Sequence, residues 1–329
     1  MDARLQRLVG CHSTPGDEDE VREVLEACWR EEGWSAERYG AYAAVARGAP
    51  RAPDKPSLLV CAHMDSPGYS VDRLRVPSPA APEAARFGVT ELGAPEFDGA
   101  TAPAVLKTRR GKFEGVLRKL ADEEDDSAVC FEMDAAAAAR CEVRHGDRVC
   151  FSPRHQRTGH VLESPFFDNR LGCWMLTRLA AEARAWQTRF QVVLGATANE
   201  ELCGFGARVL ASQLRPDLVV VLDATYASEE QGVWLGRGPV LTLSDASVLL
   251  SPLMRDRVLD CMARAGVPIQ TEVYNFSGTD ARAFPLQGLL CPVLPILVAT
   301  CRNHSPRETA DVRDFEAWLS AVRAIAENF

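Results

Sequence analysis

The sequence contains no Cys-x-x-Cys pair, although it holds eleven cysteines. With an odd count and no paired spacing, neither a secreted disulfide framework nor a zinc ribbon is expected. Cys61, Cys150 and Cys173 lie within apolar runs and read as small core residues. An excess of basic charge is also missing. The net charge of −9 argues against nucleic acid or an anionic membrane surface as the main partner. No apolar stretch reaches the ~18 residues of a membrane span. The opening residues 1–6 carry no apolar signal core, so a reducing cytoplasm is the expected setting. Internal repeats and long low-complexity tails are absent. What remains is ordinary for a globular protein: 47% hydrophobic and 25% charged residues in 329 positions, enough for one large domain or two smaller ones.

Periodicity then orders the chain. Residues 17–32 read as an amphipathic helix, because Val21, Val24, Leu25 and Cys28 share one face and Asp17 to Glu20 suit its positive end. Residues 57–63, 191–197 and 218–222 read as short buried strands. Residues 171–187 and 202–213 read as helices. A helix at 251–265, strands at 268–274 and 292–299, and a helix at 312–328 complete the series. Buried strands alternating with helices predict an α/β three-layer sandwich with a mostly parallel central sheet.

Residues 67–160 break this rhythm. Short apolar runs alternate with turn signals such as Arg110-Gly111-Lys112 and His145-Gly146-Asp147, which predicts a small all-β insert. The catalytic unit would then comprise 1–66 and 161–329. The acidic run Asp122 to Asp126 reads as a solvated loop, and Ala135 to Ala139 as either a short helix or a loop.

Metal-type side chains gather at the expected strand ends. His63 and Asp65 close the first buried strand; Glu200 and Glu201 follow the second; Asp223 follows the third; and His304 follows the strand at 292–299. Asp168 precedes a helix. In open α/β sheets the carboxyl ends of the strands form the binding crevice. Two adjacent glutamates repel each other near a core, and a cation is the simplest neutraliser. Two imidazoles plus carboxylates, without thiolate, suit zinc or a similar metal. His63, Asp168, Glu201, Asp223 and His304 exceed the needs of one tetrahedral ion. A shared carboxylate would let them hold two, about 3.5–4 Å apart, with a bridging water acidified into a nucleophile. Taken singly, each has a plainer reading: Asp168 as a helix cap, Asp223 as a turn residue, the glutamate pair as a helix start.

The motifs together resemble the dinuclear-metal tetrahedral aminopeptidases, metallopeptidase family forty-two, some members of which carry the name endoglucanase. The resemblance runs through Ser13-Thr14-Pro15-Gly16, Ala62-His63-Met64-Asp65, Phe167-Asp168-Asn169-Arg170, Asn199-Glu200-Glu201, Leu222-Asp223, Ser277-Gly278-Thr279-Asp280-Ala281 and His304-Ser305-Pro306. It implies that His63 and Asp223 bind one ion, Glu201 and His304 the other, and that Asp168 bridges them. It also implies Glu200 as general base and then acid, Asp65 as the carboxylate orienting the His63 ring, and a cis peptide at Asp168–Asn169. Two divalent ions per subunit are expected, zinc first, with cobalt and manganese also fitting. The implied substrates are short peptides that lose N-terminal residues. The insert would serve dimerisation within a homo-oligomer, a dodecamer built from dimers. Two rivals stay open: a deacylase of N-acylated amino acids on the same scaffold, and a shell-forming or binding protein without turnover. Arg170 and Arg282 are basic residues that could attract acidic substrates or make structural ion pairs.

Overall fold

The computed structural model describes residues 1–50, 54–75, 83–120 and 128–329. Its centre is a run of parallel strands. Ser57–His63 lies between Gln191–Thr197 and Leu218–Val221, and Leu218–Val221 pairs in turn with Val293–Cys301. Ser35–Tyr39 and Ala43–Arg47 extend one side antiparallel. Glu308–Asp311, Val161–Ser164 and Gln156–Thr158 extend the other. Ala224–Tyr226, Val240–Ser244 and Gln270–Val273 complete twelve strands among the described residues.

Alternation along Ser57–His63 shows why the sheet is covered twice. Leu58, Val60 and Ala62 pack into one core with Leu25, Leu171, Met175, Trp318 and Val322. Leu59 and Cys61 pack into the opposite core with Ala207, Leu210 and Phe284. Helices Ala3–Val9, Asp19–Glu31, Phe167–Glu182, Pro252–Ala265 and Arg313–Asn328 supply the first layer; Phe205–Leu214 and Ala283–Leu286 supply the other. The expected three-layer α/β sandwich is therefore present. Pro252–Ala265 shows local coding at both ends. Ser251 accepts the Met254 N–H at 3.2 Å, Pro252 opens the helix, and Gly266 ends it at φ +65°.

The β-rich insert is a closed barrel of Gly68–Arg73, Ala84–Leu92, Val129–Asp134, Gly111–Lys119, Thr101–Thr108 and Arg148–Phe151. Tyr69, Leu106, Leu117, Phe131 and Phe151 fill it. Gly115 is required by close approach: a Cβ there would lie 2.4 Å from the Phe131 ring and 2.5 Å from the Glu132 carbonyl. The barrel strands stop at residue 151. Residues 156–164, whose first strand is fully exposed, pair into the large sheet.

Several boundaries shift. The helix expected at 202–213 starts at Phe205, because residues 199–204 form a turn with Asn199 and Gly204 both at φ +62°. Ala135–Cys141 is a helix, capped by Asp134. The acidic run Asp122 to Asp126 lies outside the described residues. Cys61, Cys150 and Cys173 are buried and unpaired. No helix among the described residues is long and apolar enough to cross a membrane.

Candidate metal centre

All seven residues singled out in the sequence meet at the carboxyl edge of the parallel strands. His63 Nε2 lies 3.2 Å from Asp168 Oδ1 and 3.2 Å from Asp223 Oδ1. His304 Nε2 lies 3.4 Å from Glu201 Oε2 and 3.7 Å from Asp168 Oδ2. The two oxygens of Asp168 thus face different imidazoles. Glu200 is buried beside this group, and the Arg282 guanidinium stands 3.6 Å from its Oε1.

Backbone contacts aim these side chains. His63 Nδ1 is 3.0 Å from the Asp65 carbonyl and 3.6 Å from its carboxylate, so the carbonyl is the nearer ring partner. The Asp65 carboxylate also accepts the N–H groups of Glu200 and Glu201, both at 3.1 Å. It fixes the glutamate turn, a role the sequence resemblance did not include. The Asp168–Asn169 peptide is cis. Asn169 donates to the Leu222 carbonyl at 2.9 Å and accepts the Gly172 N–H at 2.9 Å, which ties the Asp168 and Asp223 segments together. Asn303 donates to Asp168 Oδ2 at 3.3 Å, and His304 Nδ1 lies 3.3 Å from the Ala94 carbonyl on the barrel side.

The electrostatics of the bare protein are strained. Burial pushes the Glu200 and Glu201 carboxyls well above their usual range; Asp280 adds to this for Glu200, and Asp168 for Glu201. Burial likewise raises Asp223, to about 6, despite His63 beside it. Asp168 goes down, because His63 and His304 outweigh the cost of burying it. Burial opposes the charged form of His63, but Asp223 and Asp168 overcome it and hold the ring well above its usual value.

This donor set fits a divalent cation. His63, Asp168 and Glu201 offer ligand atoms all within 4.8 Å of one another. Glu201 Oε1 is buried without a hydrogen-bond partner, an expensive state for a carboxylate unless a cation meets it.

The sequence reading missed several supporting residues. Glu18 reads as one of four acids at a helix start, yet it is buried and accepts the N–H groups of Gly16 at 2.7 Å and Asn199 at 3.2 Å. Glu308, Asn303 and Gly93 carry no local signal, since the Asp168 segment met by the first two and the Glu201 side chain met by the third are remote in sequence. Arg170 is fully buried and donates to Met64 O, Ser66 Oγ, Leu8 O and Ser13 O, so it braces the scaffold and does not meet substrate. In the motif 277–281, the Thr279 N–H donates to Ser247 Oγ at 2.6 Å, and Asp280 is buried against Thr197.

Comparison with known proteins places the chain in a family. A glutamyl aminopeptidase of Lactococcus lactis subsp. cremoris is 29% identical, over 98% of this chain and 94% of its own. An aminopeptidase from the archaeon Desulfurococcus kamchatkensis has the same fold, with a TM-score of 0.86 at 20% identity over 99% of this chain and 94% of that one. The TET1 peptidase of Pyrococcus horikoshii, described as assembling into a tetrahedron or a large octahedral shell, gives a TM-score of 0.82 at 21% identity over 99% of each chain. The model of the M42 glutamyl aminopeptidase family matches residues 40–320, a span that holds the barrel and every ligand-type residue from His63 to His304. This chain belongs to the M42 glutamyl aminopeptidase family.

Proposed function

We propose that this protein is a metal-dependent aminopeptidase that releases N-terminal residues from short peptides. The convergence of two imidazoles and three carboxylates beside a buried Glu200 carries this reading. His63 and Asp223 would hold one divalent ion, Glu201 and His304 a second, and Asp168 would serve both. Zinc suits these donors first, and cobalt and manganese also fit. Bound there, such ions supply Lewis acidity, lowering the pKa of a water and polarising the peptide carbonyl.

The remaining work falls to the chain itself. Glu200 accepts the proton of the attacking water on its carboxylate and returns it to the departing amine. Arg282, beside Oε1, holds that carboxylate in place. Asp65 fixes the turn that separates the two glutamates by function: Glu201 toward metal, Glu200 toward the proton. Glu200→Gln should lower kcat about 10²–10⁴-fold, the contribution typical of a general acid–base group, with metal content unchanged. Near-full activity in that variant would remove Glu200 from the proton-transfer role.

We further assign 1–66 and 161–329 to the catalytic unit and 67–160 to a dimerisation unit of a homo-oligomer, a dodecamer built from dimers, with the strand 156–158 at its end joining the catalytic sheet. Native mass spectrometry tests the assembly; a monomer at micromolar concentration would contradict it.

A further inference from the structure

We propose that Glu308 is a positioning residue of the metal centre: one carboxylate that fixes the backbones presenting both Asp168 and His304. The proposal rests on the metallopeptidase reading and adds to it a residue that binds no metal itself.

Three observations carry it. Glu308 is 1% exposed, and its two oxygens are divided between the two ligand segments. Oε2 accepts the Asp168 N–H at 2.8 Å, and Oε1 accepts the His304 N–H at 3.0 Å.

The backbones it grips are costly ones. Phe166 has φ +70° and His304 φ +64°, the left-handed region that bulky L-residues avoid by roughly 1–2 kcal/mol each. Such turns persist only where the surroundings over-determine them. A buried side chain that accepts the His304 amide and the Asp168 amide, two residues beyond Phe166, is such a determinant, because each of these N–H groups would otherwise be buried without a partner.

Topology explains how one side chain reaches both. Glu308 opens the strand Glu308–Asp311, which pairs on one side with Val161–Ser164 and on the other with Val293–Cys301. The first neighbour leads into Phe166–Asp168, and the second leads into the His304 turn. Glu308 faces Ser164 in the register, at the root of the Asp168 segment.

The chemistry requires a carboxylate. Glutamine has the same shape but only one acceptor oxygen, and its amide group would set N–H against N–H at one of the two turns. Aspartate keeps both acceptors on a shorter stem. The expected order of metal affinity is therefore wild type, then Glu308→Asp, then Glu308→Gln.

The test is a cobalt titration of the metal-free protein, followed by its visible absorption bands, which report ligand geometry. Thermal unfolding of each metal-free variant is recorded in parallel. Glu308→Gln should bind cobalt about 10–100-fold more weakly, as expected for loss of a residue that orients ligands. It should also show altered bands, and kcat should fall with KM little changed. A merely structural role would lower the unfolding temperature and leave the bands and the affinity of the folded protein alone; that outcome overturns the proposal. Should both variants fail to fold, hydrogen exchange on the metal-free wild type decides. The Asp168 and His304 amides should be strongly protected, and exchange at open-turn rates overturns the proposal. Wild-type protein that takes up no cobalt would overturn the metallopeptidase reading and this proposal together. Normal uptake by wild type and variants alike would overturn this proposal alone.

Discussion

At the scale of single residues, Gly93 shows how tightly the centre is enclosed. It sits in the left-handed region at φ +76°, and a Cβ there would lie 2.8 Å from Glu201 Cβ and 3.2 Å from Glu201 Oε2. Gly93→Ala should therefore displace Glu201 as well as strain the loop. The expected result is at least tenfold weaker metal binding by titration, with stability lowered by about 1 kcal/mol. The ligands themselves were legible because their chemistry is unusual at strand ends: His63, Asp223 and His304 each follow an apolar run that predicts a buried strand. Gly93 and Glu308 were not legible. Each acts on a partner more than a hundred residues away, and glycine or glutamate alone carries no hint of such a partner. Asp65 was legible as part of the site, but its grip on the Glu200 and Glu201 amides was not, because a side chain's contacts to remote backbone leave no mark in the sequence.

At the scale of elements, the seam between barrel and sandwich is built on charge. Lys107 on a barrel strand lies 2.7 Å from Asp17, and Lys112 pairs with Glu20. His12 is buried in the same seam, with Nδ1 3.4 Å from Asp17. Burial works against its charge, but Cys150 and Asp17 outweigh burial and raise the ring to about 9. The sign follows from linkage. A histidine whose folded pKa exceeds the ordinary ~6.5 contributes stability that is complete below that value and is lost as pH rises through about 9. Denaturant unfolding of the wild type should therefore weaken between pH 6.5 and 9, and His12→Gln should flatten that dependence. An identical slope in the variant would assign the dependence elsewhere. The parallel strands and long helices were read well because continuous apolar runs and 3.6-residue periodicity are strong signals. Ser35–Tyr39 and Ala43–Arg47 escaped because the first is polar and the second is mostly alanine, so neither shows a β-rich composition.

At the scale of the whole molecule, the fold concentrates negative charge where it is hardest to keep. Asp168, Glu200, Glu201, Asp223 and Glu308 are all withdrawn from solvent around two imidazoles. Cations that bind only the folded chain would add RT ln(1 + [L]/Kd), about 2.7 kcal/mol at a hundredfold excess over Kd. The sandwich supplies the strand ends and the barrel supplies the Gly93–Ala94 wall against Glu201 and His304, so the site draws on both parts of the chain. The most direct measurement is hydrolysis of a panel of aminoacyl amides under metal supplementation, with metal content determined on the same sample. The expected result is cleavage of free-amine substrates but not of their N-acylated counterparts, with two equivalents of divalent metal per chain. Both activity and metal should be lost on chelation and restored by adding metal back. Two bound equivalents without turnover of any aminoacyl amide, or turnover that survives complete chelation, would contradict it.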